Sequence, residues 1–151
     1  MRDSRIGSAG ALAIFGVILL KWSALMSLPQ EARWQTLLLM PLAGRCALSL
    51  HLALLPYARK DGGLASIFIG CSRPLMLIIS LSILAGTGFY LLSFSGLIVA
   101  FGSVVFVSVF SLFCHRQLGG LTGDTLGAAC ELTELVPPLV MVACGGSCFG
   151  F

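Results

Sequence analysis

Charge is what this chain has least of. Only 10% of its 151 residues are Asp, Glu, Lys or Arg, against roughly a quarter in ordinary soluble domains, and that scarcity excludes a soluble globular fold. The formal balance of +3 is too small and too scattered for nucleic-acid recognition. The six cysteines, Cys46, Cys71, Cys114, Cys130, Cys144 and Cys148, show no CxxC spacing, so no paired zinc or redox site is indicated. They lie mostly in apolar runs and read as small core residues.

Apolar side chains are what is there, at 58% of residues with a mean hydropathy of +1.02. Together these describe an all-α integral membrane protein, a single polytopic domain over 1–151 built as a bundle of about five transmembrane helices. The expected spans run from about 11 to 28, 35 to 55, 74 to 92, 94 to 113 and 125 to 145. A signal peptide is the competing reading of the first. It lacks a small-residue cleavage site after a short apolar core, and further spans follow it.

Lys21, near the far end of the first span, is expected to snorkel to the interface. The link 29–34 is polar. Arg45 falls near the middle of the second span, a costly position that implies an inward-facing role, whereas His51 reads as a satisfied structural histidine. The stretch 57–73 is the most polar part of the chain, with Gly62-Gly63 as a turn. The third and fourth spans are so close that they form a tight hairpin, and their serines and glycines suit close helix packing. Pro137-Pro138 should kink or end the last helix.

Lys and Arg gather in cytoplasmic loops. With the N-terminus inside, Arg2, Arg5, Arg59, Lys60, Arg73 and Arg116 fall on the inner side and Arg33 on the outer, while Lys21 and Arg45 lie within spans. The N-terminal Asp3-Ser4-Arg5, the Tyr57-Ala58-Arg59 loop and the glycine-rich turn at Gly119 to Asp124 then share one membrane face.

That turn opens the stretch Gly119 to Glu134, GGLTGDTLGAACELTE, which concentrates acids, glycines and hydroxyls. On a helix starting near Asp124, the residues Gly127, Ala128 and Glu131 share its face, and Glu134 lies close to that stripe. The result is a ladder of carboxylates with small residues between the rungs, leaving room for a metal ion or phosphate. At 1.5 Å of rise per residue Asp124 and Glu131 stand about 10 Å apart, too far to chelate one ion. Two ions, or one ion and a base, fit better. Capping a helix is the plainer job for Asp124 or Thr122, and both readings fit the sequence. Glu131 and Glu134 precede an apolar run, where an ionised group needs a polar cavity. Basic side chains and a carboxylate-bound divalent cation at one membrane face suit transfer of a phosphate-bearing group.

The segments Met1-Arg2-Asp3-Ser4-Arg5-Ile6-Gly7, Pro56-Tyr57-Ala58-Arg59, and Gly119 to Ala128 with Glu131 resemble, in matching order, the cobalamin synthase family of adenosylcobinamide-GDP ribazoletransferases. The resemblance implies a multi-pass enzyme of the bacterial inner membrane. Such an enzyme joins adenosylcobinamide-GDP to α-ribazole or its 5′-phosphate, releases GMP and uses magnesium. It also implies roles: Asp124 and Glu131 as catalytic residues, and Asp124, Glu131 and Glu134 around the magnesium. Asp3, Ser4, Arg5, Arg45, Arg59, Gly120, Thr122 and Gly123 would hold substrate. Members carry a further membrane-embedded region upstream of the Asp-Ser-Arg motif, with an aspartate-rich segment, so the chain is expected to correspond to the C-terminal portion of the family domain. The Gly62-Gly63-Leu64-Ala65 sequence departs from the family's usual Gly-Leu-Gly. The alternative class is a small multispanning transporter or scaffold braced by an Arg45–Glu131 pair, and a related lipid-head-group transferase is a third.

Overall fold

The computed structural model describes residues 7–55 and 73–144, and all six of its elements are helices. They are α1 (Ser8–Met26), α2 (Gln30–Leu54), α3 (Arg73–Leu92), α4 (Phe94–Leu118), α5 (Gly123–Thr133) and α6 (Val136–Ala143). Four segments are long and apolar enough to cross a membrane, Gln30–Leu54, Pro74–Leu92, Phe94–Leu118 and Gly123–Ala143, and Gly10–Met26 is a shorter apolar helix. The bundle expected from composition is the bundle found. Its outer surface is apolar, with Leu12, Phe101 and Phe94 at least 70% exposed, as a lipid-facing surface requires.

α2 is the central helix and packs against every other one. Its buried strip, Leu39, Ala43, Cys46, Ala47 and Leu50, repeats at helical spacing and supplies a residue to three successive apolar clusters. A fourth cluster, of Leu55, Cys114 and Leu121, seats the turn that follows α4. Cys46 and Cys114 are buried in these clusters, as their apolar setting predicts. Cys71 and Cys148 lie outside the described residues.

The helix boundaries differ from the hydropathy reading in two places. α2 begins at Gln30, because Gln30-Glu31-Ala32-Arg33-Trp34 is helical rather than a link. Glu31 suits the positive end of the helix dipole there. Arg33 then donates from Nε to the Leu25 carbonyl at 3.1 Å and from Nη2 to the Leu28 carbonyl at 3.1 Å. It thereby adds a side-chain donor to carbonyls at and just past the end of α1. α4 also runs on to Leu118, with His115 and Arg116 in its last turn.

The α3–α4 hairpin turns on Ser93 alone, held at φ 51°, ψ −129°, a region that disfavours any residue with a Cβ. Ser93→Gly is therefore expected to raise stability by about 1 kcal/mol, read as a rise in Tm of the detergent-solubilised protein. Gly88 and Gly96 face each other across the hairpin in backbone contact. The small residues of these two spans serve packing, as expected.

Pro137 and Pro138 divide the final span. Pro137 lies in the first turn of α6, where its missing N–H costs nothing, so the prolines start a new helix after Thr133.

Candidate functional site

α4 ends on Gly119, whose φ of 72° and N–H bonded to the His115 carbonyl close the helix in the left-handed conformation. Gly120 and Leu121 are buried beneath the turn. Thr122 then starts α5 with a reciprocal cap. Its Oγ1 accepts from the Thr125 N–H at 3.2 Å, and the Thr125 hydroxyl accepts from the Thr122 N–H at 3.0 Å.

The plainer reading of the sequence thus holds for Thr122, and it frees Asp124. With the helix already capped, the Asp124 carboxylate is exposed and makes no hydrogen bond or ion pair among the described residues. Gly123 and Gly127 also have no packing reason to lack a side chain, since a Cβ at either would meet nothing within 4 Å. The space the sequence predicts beside the acidic face is present.

That space is a groove of about 650 Å³ between α1 and α5. Ala13, Ile14, Val17 and Ile18 form one wall, and Gly127, Ala128, Glu131 and Leu132 form the other. Helical spacing puts Asp124 one turn above Gly127 on the same stripe, at the end where α1 begins.

The lower acids behave differently. Lys21 Nζ lies 2.8 Å from Glu131 Oε2 and 2.7 Å from Glu134 Oε2. The expectation that Lys21 reaches for the interface is corrected: its ammonium is taken up by two carboxylates more than a hundred residues along the chain. These carboxylates lie well inside the final span, about 10 Å and more beyond Asp124 along the helix axis. A cation inside an apolar bundle is stabilised more by a carboxylate at hydrogen-bond distance than by a stretched path to water.

Glu134 is enclosed further. Its Oε1 is 3.9 Å from the Cys130 Sγ, and a Cβ added at Gly44 would lie 2.9 Å from that same oxygen. Gly44 is the gap in α2 that admits the carboxylate. Arg45, expected to face inward, is exposed, although it lies within electrostatic range of Cys130 together with Lys21, Glu131 and Glu134. Among the described residues, Lys21, Glu131 and Glu134 thus form a charged group partway along the final span.

His51 is buried between α2 and α4, its Nδ1 sharing a 2.7 Å hydrogen bond with the Ser111 hydroxyl. Its Nε2 is buried without a partner, so the expected satisfied structural histidine is satisfied at one ring nitrogen only. Asp3, Ser4, Arg5 and Arg59, four of the residues expected to hold substrate, lie outside the described residues. No three His, Cys, Asp or Glu side chains among the described residues are grouped as a metal site. Of the three carboxylates expected around magnesium, Glu131 and Glu134 hold Lys21, and Asp124 alone is unengaged.

The chain matches the family described as Cobalamin-5-phosphate synthase over residues 1–142. It belongs to that family. Among similar synthases, the Adenosylcobinamide-GDP ribazoletransferase of Clostridium novyi (strain NT) is 32% identical over 146 residues, which cover 97% of this chain and 58% of that protein. The protein of the same name from Chlorobaculum tepidum (strain ATCC 49652 / DSM 12025 / NBRC 103806 / TLS) is 39% identical over 138 residues, covering 89% and 54%. That of Syntrophobacter fumaroxidans (strain DSM 10017 / MPOB) is 38% identical over 136 residues, covering 90% and 55%. The chain therefore spans a little over half the length of these synthase relatives. No solved structure matches it.

The sequence signal for the Lys21 contact was weak, because one lysine in an apolar run fits interfacial snorkelling and ion pairing equally well. The cue available was that Glu131 and Glu134, three apart, present two carboxylates to one side of a helix.

Proposed function

We propose that the chain contributes to an inner-membrane transferase that joins adenosylcobinamide-GDP to α-ribazole, or its 5′-phosphate, with release of GMP. The observation that carries this reading is the unengaged Asp124 at the rim of an open groove whose α5 wall is kept small by Gly127 and Ala128. Family membership and the names of the relatives support it.

In this reading a ribose hydroxyl of the ribazole attacks the corrinoid-side phosphorus. One P–O bond forms, the bond to the GMP oxygen breaks, and GMP leaves with the bonding pair while the hydroxyl gives up its proton. Asp124 sits where the polar end of a substrate meets the turn, and Arg5, Arg45 and Arg59 supply guanidinium groups for phosphate oxygens. Thr122 and Gly123 present the helix N-terminus on the same side. Magnesium is part of this reading, but Glu131 and Glu134 as placed do not fit it. The N-terminus and the motif loops belong on the cytoplasmic face, where the charged substrates are.

The transporter or scaffold reading loses its brace, since Glu131 is held by Lys21 and not by Arg45. The test uses the gene product purified in detergent from its host membrane. Adenosylcobinamide-GDP and α-ribazole are supplied with magnesium, and GMP is followed by chromatography. GMP release that requires α-ribazole is expected. Its absence, or release on supplying a lipid acceptor instead, would overturn the reading.

A further inference from the structure

We propose that Glu131 and Glu134 are the seat of the Lys21 ammonium, an intramembrane lysine–glutamate triad that fastens α1 to α5, and that they are not ligands of a divalent cation. Geometry is the first ground. Both carboxylates direct Oε2 at one nitrogen, at 2.8 and 2.7 Å, so the position where a shared metal would sit is already filled. Magnesium needs oxygens at about 2.0–2.1 Å in an octahedral shell that usually includes several waters. Glu134 lies against Cys130 and the backbone of Gly44, which limits approach from the α2 side.

Charge balance is the second ground. The Lys21 ammonium already offsets one of the two carboxylate charges. Adding a divalent ion beside it would leave an excess of positive charge inside an apolar span, where uncompensated charge is strongly disfavoured.

Position gives the triad its purpose. Every residue from Ala11 to Gly16 in the first half of α1 is exposed, and α1 packs on α2 and α6. Among the described residues the Lys21 ion pairs are the polar link from α1 to α5, and through Glu131 they fix one of the residues that line the groove. The triad holds whether or not the chain transfers a nucleotide.

The test uses Mn²⁺ as the probe, titrated into the detergent-purified protein and read by electron paramagnetic resonance. The Glu131→Gln/Glu134→Gln variant is expected to match the wild type within threefold, including the case in which neither binds. A larger loss in the variant overturns the proposal. The second measurement is thermal stability. Lys21→Met, which strands two carboxylates, is expected to lower Tm by about 5 °C or more. Lys21→Arg should keep most of the wild-type value. The triple variant Lys21→Met/Glu131→Gln/Glu134→Gln should recover most of the loss, because neutral groups need no counter-ion. Recovery supports the triad even if the glutamine pair alone fails to fold. A triple variant as unstable as the separate losses combined overturns it.

Discussion

Asp124→Asn is expected to reduce GMP release at least about a hundredfold, the usual scale for removing one charged or polar contact at a phosphoryl or acyl centre, while the protein remains folded. Both halves of this expectation come from the cap of α5. Thr122 and Thr125 satisfy each other's backbone N–H groups, so the Asp124 carboxylate is not needed to start the helix. What the fold loses with its charge is the favourable interaction with the helix dipole, about 0.3–1 kcal/mol at an exposed site. That shifts Tm by only a few degrees in a chain of this length. Thr122→Ala is the reverse case, with a cap worth about 1 kcal/mol and no carboxylate removed. Measuring Tm and GMP release on both variants separates the roles. If Asp124→Asn kept wild-type turnover, Asp124 would have no part in the chemistry.

Gly96→Leu is expected to destabilise the bundle by more than about 4 kcal/mol, an effect reserved for a short list of causes. The cause here is collision with main chain. A Cβ at Gly96 would overlap the Gly88 carbonyl group, and one at Gly88 would lie 2.9 Å from the Gly96 oxygen. Neither backbone can withdraw, because Ser93 alone joins the two helices. Gly102 provides the control. A Cβ there would meet only methyl groups of Val136 and Val140 at 3.4 and 3.5 Å, so Gly102→Ala should change stability by less than about 0.5 kcal/mol. The yield of monodisperse protein after solubilisation, together with Tm, distinguishes the two glycines. Equal tolerance at both positions would mean that α3 and α4 do not cross where the backbone places them.

The architecture was legible because burial in lipid leaves so little freedom. Long apolar runs give helices, the single residue between the third and fourth spans gives a hairpin, and Pro137-Pro138 gives a break. The small stripe Gly127-Ala128 was legible too, since helical spacing fixes which residues share a face. What could not be read was pairing across distance. Nothing local to Lys21 announces Glu131 and Glu134, because hydropathy scores a charge as a penalty and does not say what will neutralise it. The same blindness placed Arg45 inward. The start of α2 was missed for another reason. Gln30-Glu31-Ala32-Arg33 is polar enough to resemble a link, yet each of these residues is compatible with a helical first turn, and Arg33 is recruited to the end of α1.

The uneven support of α1 decides how a ligand arrives. Its later half is clamped by Arg33 at the carbonyl end and by Lys21 at the glutamates, whereas Ala11 to Gly16 are all exposed. The opening between α1 and α5 therefore faces sideways into the hydrocarbon as well as upward to water. In the proposed transferase, a substrate that partitions into the bilayer would reach the groove through that side, and GMP release is expected to follow lipid-to-protein ratio more closely than bulk concentration.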